Sequence, residues 1–367
     1  MKILLAGGGT AGHVTPAIAI GEIIKNNIAG ATVAYAGRND GIENQAYLAS
    51  GDDLYTVDVC GLNRKLSVKS IKSIFKLIKS SRSAKRIIKK FDPDIIIGTG
   101  GYVSFPFLLA GQRLGIKTVI HESNVSPGLV TRLLGGRCDT VLLSLEGAKK
   151  HLKNTKNTVV VGTPTRLDFG RISHSDARRK LGIHQKEILI VSFGGSLGAD
   201  VMNDTIAELI IKYTSKEHRI RHIHATGKRH YEEMKQKYKD LFIGCHNAKI
   251  LPYIDDMPTV LMAADIAITR SGAITVSELC RCGTPSILIP SPNVSGNHQY
   301  FNAEYMQERG ASILIEEKDL SSDRLNDTIE ALISSPERLK KASESALNAH
   351  TKNTEAAILK IIRSLVE

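Results

Sequence analysis

A glycine-rich turn near the N-terminus constrains the fold of this chain more than any other feature. The apolar run Ile3-Leu4-Leu5-Ala6 ends at Gly7-Gly8-Gly9-Thr10-Ala11-Gly12-His13, and a helical pattern begins near Thr15-Pro16. This order predicts a strand, a tight turn and a helix start. Glycines permit positive φ and close backbone approach, and a helix N-terminus offers N–H groups to an anion, so the turn suits a phosphorylated ligand. His13 adds a possible proton acceptor.

The spacing Gly7-x-Gly9-x-x-Gly12 also fits a dinucleotide-binding fingerprint, which normally has an acidic residue at the end of the second strand to hold a ribose. Here the second predicted strand ends in Tyr35-Ala36-Gly37-Arg38, which contains no carboxylate. The pattern therefore disfavours a nicotinamide-dependent dehydrogenase.

The length of 367 residues predicts two domains, each with its own core. The five cysteines are scattered, which indicates reduced thiols rather than a disulfide framework or a zinc site. We expect no metal and no cofactor. The N-terminus runs straight into glycines, unlike a secretory leader, and the longest apolar region, 95–110, is interrupted by glycines and Pro106. Any membrane role is therefore expected to be peripheral.

Nearly all of the net charge of +12 lies in one segment, 62–91, which contains eleven lysines and arginines and no acid. Ile71, Ile74, Phe75 and Ile78 recur there at helical spacing, which predicts a basic amphipathic helix or helix pair. A solvated surface helix and an anionic membrane surface explain this pattern equally well. Nucleic acid is disfavoured because single-strand binding usually needs more aromatic residues.

Short apolar runs alternate with helical patterns along the whole chain, as in a parallel sheet covered on both faces. A second start at 187–199 repeats the opening strand, glycine turn and helix. We therefore predict an α/β fold of two doubly wound halves, with ligands at the carboxyl ends of both sheets. The predicted domains are 1–163 and 164–349, with a C-terminal helix in 350–367 that packs back on the first.

Several predicted strand ends carry polar side chains that suit a ligand, although each also has a structural explanation. Gly194-Gly195-Ser196 fits phosphate or a simple tight turn. The stretch 270–278 opens a helix at a small-residue turn and places Glu278 in its second turn, where it could hold a ribose diol. Polar residues in 297–303 could face a sugar, and Ile254 could contact a base or join the core.

A third strand end carries His121-Glu122-Ser123-Asn124. His121 and Glu122 are often structural at such a position, whereas Asn124 lies further into the loop and better suits a ligand. Two other patterns are discounted as metal sites. Asp92-Pro93-Asp94 precedes a strand, at the end opposite the expected ligand. His222 and His224 share one strand face without a third ligand nearby in the sequence.

Taken in order, 8–13, 121–124, 194–199, 270–278 and 298–303 resemble the peptidoglycan glycosyltransferases of glycosyltransferase family 28, over the whole chain. The resemblance implies the GT-B fold, two Rossmann-like domains facing a cleft. It also implies transfer of N-acetylglucosamine from UDP-N-acetylglucosamine to undecaprenyl-diphosphate-linked N-acetylmuramoyl-pentapeptide, at the cytoplasmic face of the membrane. The first domain would take the acceptor and the second the UDP-sugar.

The resemblance also implies site residues. His13 would be the catalytic base, and the residues expected to bind the donor are Thr10, Ala11, Gly12, Asn124, Arg166, Ser196, Ile254, Gly272, Ala273, Ile274, Thr275, Glu278 and Gln299. Two positions depart from the family pattern. Ala11 replaces a glycine of the usual Thr-Gly-Gly-His, and 162–166 reads Gly-Thr-Pro-Thr-Arg instead of Gly-Asn-Pro-Val-Arg.

These parts predict direct displacement with inversion at the anomeric carbon. His13 would take the acceptor proton, and helix N-termini would stabilise the departing UDP without a metal. Segment 62–91 would then meet anionic lipid. Three alternatives stay open: another lipid acceptor such as diacylglycerol, an oxidoreductase, and a nucleotide-sugar sensor without turnover.

Overall fold

The computed structural model describes residues 1–59, 68–164, 169, 171–195, 198–243 and 245–366, and the side chains of 68–78, 240 and 242 lie outside this description. The chain divides into two compact units, Met1–Thr165 with Thr351–Glu367, and Arg166–His350. Each unit is built on one parallel sheet.

The first unit holds a seven-stranded sheet in the order β3-β2-β1-β4-β5-β6-β7. Its strands are β1 (Lys2–Gly7), β2 (Thr32–Arg38), β3 (Asp53–Val57), β4 (Ile95–Gly100), β5 (Lys117–Glu122), β6 (Thr140–Leu143) and β7 (Thr158–Val160). The intervening helices are α1 (Ala11–Asn27), α2 (Glu43–Leu48), α3 (Val68–Phe91), α4 (Gly101–Leu114) and α5 (Leu129–Leu134). The strand order reverses between β1 and β4, which is where ligands bind in open α/β sheets.

The second unit holds a six-stranded sheet in the order β10-β9-β8-β11-β12-β13, which reverses between β8 and β11. Its strands are β8 (Ile188–Phe193), β9 (Ile220–Ala225), β10 (Ala248–Leu251), β11 (Ile266–Thr269), β12 (Ser286–Leu288) and β13 (Ser312–Leu314). Its helices are α6 (His174–Leu181), α7 (Asp200–Lys212), α8 (Tyr231–Lys237), α9 (Lys239–Ile243), α10 (Met257–Ala263), α11 (Ala273–Cys282), α12 (His298–Glu308), α13 (Ser322–Ile333) and α14 (Pro336–Ala349).

Both faces of the first sheet are buried, because successive side chains of a strand point to opposite sides. Leu4 packs in one core with Ile88 of α3, and Leu5 packs in the other with Ile20 of α1. The last helix, α15 (Thr354–Val366), belongs to the first unit and contributes Ile358 to the same core as Leu5.

Helix α3 accounts for most of the basic segment, and residues 62–67 of that segment lie outside the described part of the chain. In the second half of the helix, Ala84, Ile88 and Phe91 are buried. The six basic side chains of 79–91 are all exposed. This half is therefore a surface helix that packs on the core through its apolar residues, while Ile71, Ile74, Phe75 and Ile78 lie where side chains are not described.

Candidate functional site

The glycine turn between β1 and α1 packs against a second glycine turn between β4 and α4. Gly9 has φ of +86°, and Gly100 and Gly101 have φ of +107° and +73°. A side chain at Gly100 would overlap the ring of His13, and one at Gly101 would overlap the backbone carbonyl of Gly8. Thr99 Oγ1 also donates to the carbonyl of His13 at 2.7 Å. Glycines are required here because two turns and an imidazole share the end of neighbouring strands.

His13 is held in one tautomer by its surroundings. Its Nδ1 lies 3.0 Å from the carbonyl oxygen of Gly8 and 3.2 Å from Oγ1 of Thr10. A carbonyl oxygen can only accept, so we assign the proton of the neutral ring to Nδ1 from this contact. The lone pair then lies on Nε2, which is the arrangement that a general base needs.

Thr10, Ala11 and Gly12 lie at the start of α1, which begins at Ala11 and not near Thr15-Pro16, where the helical pattern begins in the sequence. Thr10 is the N-cap, with extended backbone and no capping hydrogen bond between its side chain and a backbone N–H of the helix. The first backbone N–H groups of a helix have no acceptor within it, so those of Ala11 and Gly12 face outward. Ala11 is exposed. The methyl group that replaces the family glycine thus enters no packed interior.

One N–H of the turn is taken by a carboxylate that the sequence patterns did not identify. Glu43, at the start of α2, is only 1% exposed. Its Oε2 accepts from the N–H of Gly9 at 3.1 Å, and its Oε1 accepts from the N–H of Arg38 at 2.9 Å. The glycine fingerprint draws attention to the residue after β2. The carboxylate instead comes from the next helix, so no spacing rule could have found it.

The loop after β5 is organised by Glu122, which is buried. Its carboxylate accepts from the N–H and side-chain amide of Asn124, from the N–H of Gly128 and from Oγ1 of Thr131. Burial also lowers the pKa of His121 to about 4, which keeps this imidazole neutral. Glu122 and His121 thus have structural roles, and Asn124 is only partly buried, at the same sheet edge as His13.

In the second unit, helix α11 begins at the carboxyl end of β11, next to the point where the strand order reverses. Gly272 is its N-cap, and the first N–H to reach a helix carbonyl is that of Val276, at 2.9 Å from the oxygen of Gly272. The N–H groups of Ala273, Ile274 and Thr275 therefore point out of the helix start. Glu278 follows in the second turn, partly buried.

Arg270, just before this helix, is held by the protein itself. Its guanidinium donates to the carbonyls of Ile289 and Pro290 and forms an ion pair with Glu317. Both partners of the pair are largely buried, so Arg270 fixes the turn and its charge is already balanced.

Helix α12 is tied to the same turn. Ser271 Oγ donates to the carbonyl of Gln299 at 2.8 Å, and the side-chain amide of the buried Asn302 donates to the carbonyl of Ser271 at 3.0 Å. The Gln299 side chain accepts from the N–H of Ser291 through Oε1, which leaves its amide N–H₂ directed elsewhere. Gln299 and the start of α11 are therefore brought together at one turn.

Ile254 is buried at 4% exposure, after the end of β10, so only a small part of its side chain can meet a ligand. Arg166 and Ser196 lie outside the described residues, and their roles stay predictions. Gly195 and Gly198 flank Ser196 with φ of +91° and +79°, so this glycine turn needs glycine at both positions.

The side chains of the two patterns discounted as metal sites form hydrogen bonds within the protein. Asp94 accepts from the N–H of Lys2 at 2.7 Å, at the amino end of the sheet. His222 Nε2 and His224 Nδ1 both lie 2.8 Å from the same hydroxyl, Oγ of Ser192, and all three residues are buried. Within the described ranges, no group of three His, Cys, Asp or Glu side chains could hold a metal ion. No described helix is long and apolar enough to cross a membrane.

Comparison with known proteins identifies the family. Residues 3–143 match the glycosyltransferase family 28 N-terminal domain, and residues 189–358 match the glycosyltransferase family 28 C-terminal domain. The crystal structure of Acinetobacter baumannii MurG superposes with a TM-score of 0.80 at 25% identity, covering 99% of each chain. A putative UDP-N-acetylglucosamine 2-epimerase from Listeria monocytogenes, 16% identical, shares the fold with a TM-score of 0.71, over 100% of this chain and 96% of its own. The predicted fold class, GT-B with two Rossmann-like domains, is confirmed.

Two curated relatives match the chain over nearly its full length. One from Carboxydothermus hydrogenoformans is 40% identical, over 100% of this chain and 98% of its own. Another from Alkaliphilus metalliredigens is 39% identical, over 99% of this chain and 100% of its own. Both are named UDP-N-acetylglucosamine--N-acetylmuramyl-(pentapeptide) pyrophosphoryl-undecaprenol N-acetylglucosamine transferase. The chain therefore belongs to glycosyltransferase family 28, in the branch of these N-acetylglucosamine transferases.

Proposed function

We propose that the chain transfers N-acetylglucosamine from UDP-N-acetylglucosamine to undecaprenyl-diphospho-N-acetylmuramoyl-pentapeptide, with inversion at the anomeric carbon. The observation that carries this proposal is the match, over nearly the full length, to relatives named for that reaction. The geometry of His13 supports it, because the hydrogen bond of Nδ1 to Gly8 leaves Nε2 as a proton acceptor at the carboxyl end of the first sheet.

The chemical step follows from these parts. The acceptor hydroxyl oxygen forms a bond to the anomeric carbon as the bond from that carbon to the UDP oxygen breaks. Nε2 of His13 takes the hydroxyl proton, which contributes roughly 10²–10⁴ in rate. Direct displacement converts an α-linked donor into a β-linked product.

The second unit is proposed to hold the donor. The N–H groups of Ala273, Ile274 and Thr275 offer hydrogen bonds to the diphosphate, and they stabilise the negative charge that grows on UDP as it leaves. Glu278 is proposed to bind the ribose diol, Gln299 the N-acetylglucosamine and Ile254 the uracil. Asn124, Thr10, Ala11 and Gly12 are proposed to line the donor and acceptor side of the first unit, and Arg166 and Ser196 to approach the donor diphosphate or sugar.

The first experiment is release of UDP from UDP-N-acetylglucosamine with and without the lipid-linked muramoyl-pentapeptide, in the presence of a metal chelator. We expect release that depends on the acceptor and survives chelation. Release that depends instead on diacylglycerol would transfer the proposal to another lipid acceptor. Tight donor binding with no turnover on either acceptor would favour a sensor.

The basic segment 62–91 is proposed to bring the enzyme to the anionic, cytoplasmic face of the membrane. The exposed charges of 79–91 support this proposal, since each lysine or arginine near an anionic surface contributes about 1 kcal/mol. We expect replacement of Lys72, Lys76 and Lys79 by glutamate to weaken binding to anionic vesicles at least tenfold, with turnover on a short-chain soluble acceptor preserved. Glutamate at the exposed Lys340, Lys341 and Lys352 is the matched control. Equal vesicle binding by both triple variants would refute this surface.

A further inference from the structure

A single peptide group lies between His13 and the buried carboxylate of Glu43. The Gly8 carbonyl oxygen is 3.0 Å from Nδ1 of His13, and the Gly9 N–H, which belongs to the same peptide group, donates to Oε2 of Glu43 at 3.1 Å. We propose that Glu43 is a positioning residue that orients and polarises His13 through this peptide group. The inference rests on the proposed function for the role of His13 as the base.

The hydrogen bond to Glu43 strengthens the hydrogen bond to His13, because both are made by one peptide group. A carboxylate that accepts from a peptide N–H polarises the peptide group and makes its carbonyl oxygen a stronger acceptor. The Gly8 carbonyl then holds the Nδ1 proton of His13 more firmly and keeps the lone pair on Nε2. When Nε2 takes a proton, the resulting imidazolium is stabilised by the carboxylate behind the turn. A base oriented by a third group is a recurring arrangement in catalysis, and here the contact runs through the backbone.

Glu43 itself is too enclosed to serve the substrate. Only 1% of the residue is exposed, and each carboxylate oxygen already accepts a backbone N–H, from Gly9 and from Arg38. Backbone N–H groups thus satisfy both carboxylate oxygens. The ribose contact that an acidic residue makes in a dinucleotide-binding fold is therefore not open to it.

The surrounding glycines make the space that the carboxylate occupies. A side chain at Gly8 or Gly41 would overlap the Glu43 carboxyl group, and one at Gly37 would lie 3.2 Å from its Cγ. Two loop glycines and one glycine of β2 thus surround one acid. Their missing side chains let the backbone approach closely, as is needed where a carboxylate is buried at a fixed place.

Helix α2 holds the turn at a second point. Tyr47, one helical turn after Glu43 and therefore on the same face, donates its hydroxyl to the carbonyl of Gly7 at 2.9 Å. Tyr47 also stacks on Tyr35, with ring centroids 4.5 Å apart. The tyrosine holds the turn without adding charge, so the chain itself provides a control that separates fixing the turn from polarising His13.

The electrostatics around His13 single out Glu43. His121, which faces it from β5, is neutral because burial lowers its pKa to about 4. Tyr47, which faces the turn from α2, is neutral because burial raises its pKa. The third group is the carboxyl group of Glu43, which lies behind the turn. A negative charge favours the protonated form of a nearby imidazole.

The test compares Glu43→Gln, Tyr47→Phe and Asp139→Asn. Asp139 is the matched control, because it also accepts a backbone N–H, that of Thr118 at 2.8 Å, at the opposite end of the same sheet. For Glu43→Gln we expect kcat about tenfold lower, an unchanged donor KM and an acid limb of the kcat–pH profile displaced about half a pH unit toward lower pH. Tyr47→Phe lowers kcat without displacing the limb, and Asp139→Asn does neither.

A further measurement keeps this result separate from the proposed function. Imidazole ¹⁵N NMR, with His13 assigned by His13→Gln, reports the neutral tautomer without any turnover. We expect the Nδ1–H form in the native chain and in Asp139→Asn, and a mixture in Glu43→Gln. Two results for Glu43→Gln would overturn the proposal that Glu43 acts on His13 through the peptide group. One is an unchanged tautomer, and the other is a loss of kcat without displacement of the acid limb. If the native chain releases no UDP with the acceptor, the proposed function fails, and the tautomer alone decides whether Glu43 orients His13.

Discussion

The glycine turn of the first unit and the start of α11 in the other unit both join a central strand to a helix, but they differ in charge. Behind the glycine turn lies Glu43, whose carboxylate is met by backbone N–H groups. Beside the start of α11 lies Arg270, whose charge is balanced by Glu317. The glycine turn is therefore backed by a net negative charge, and the start of α11 by a neutral pair.

This difference separates what the two sites can bind. An anion at the glycine turn would lie near a buried carboxylate and would find the Gly9 N–H already taken. An anion at the start of α11 meets three outward N–H groups and the positive end of the helix dipole. The comparison thus favours proton transfer at the glycine turn and charge stabilisation at α11, which agrees with the proposed division between base and donor.

The largest expected effect comes from removing one group from each site. We expect His13→Ala to lower kcat by roughly 10²–10⁴ with little change in donor KM, because only the proton acceptor is lost. Glu278→Ala should raise the donor KM about 10- to 100-fold, since it removes a charged hydrogen-bond partner. Steady-state kinetics with varied donor checks both. Equal and small losses of kcat in the two variants would contradict the assignment of the base to the glycine turn and of donor binding to the start of α11.

The buried histidines of the two units allow a second comparison, of how the stability of each unit falls at low pH. Burial lowers the pKa of His222 to about 3 and of His224 to about 4, while the first unit has His121 at about 4. These groups are neutral in the folded chain and take up protons when it unfolds. Their contribution to stability is complete above the unfolded pKa of about 6.5 and is lost as the pH falls toward 4.

At pH 5 this loss amounts to about 2 kcal/mol per histidine, so the second unit should lose about twice as much as the first. Calorimetry at pH 7 and pH 5 measures it. The variant His222→Gln removes one of the two histidines, and its own loss between these pH values should be about 2 kcal/mol smaller than that of the native chain. The same pH dependence in both chains would show that other groups control acid unfolding.

The sequence predicts the central strands well and the outer ones poorly, for a physical reason. Strands β1, β4 and β8 are buried on both faces and therefore read as continuous apolar runs. Three edge strands, β3, β7 and β13, are only partly buried, and the sequence patterns predict none of them, although they do predict the edge strand β10, over 249–251. A short, half-exposed strand has no long apolar run by which it can be found.

The site is predictable where its residues follow a strand directly and is missed where they come from elsewhere. His13, Asn124 and Glu278 each follow a recognisable strand end. Glu43 and Glu317 reach the turns from more distant segments, and their roles depend on tertiary hydrogen bonds that no local pattern encodes. The charges that distinguish the two sites are therefore not visible in the sequence.

The smallest expected effect compares one glycine from each site. A methyl group at Gly8 would overlap the Glu43 carboxyl group, whereas one at Gly272 would meet no atom within 4 Å among the described residues. Gly8→Ala should therefore lower the free energy of unfolding by about 1–3 kcal/mol. Gly272→Ala should change it by less than about 0.5 kcal/mol while raising the donor KM, because the methyl group projects from the helix start. Denaturant unfolding measures the free energy of unfolding of both variants.

A double-mutant cycle identifies the cause of the loss at Gly8. In a Glu43→Ala background the obstructing carboxyl group is absent, so Gly8→Ala should lower the free energy of unfolding much less there. If Gly8→Ala costs the same in both backgrounds, the close approach of the turn to Glu43 is not what requires glycine at that position.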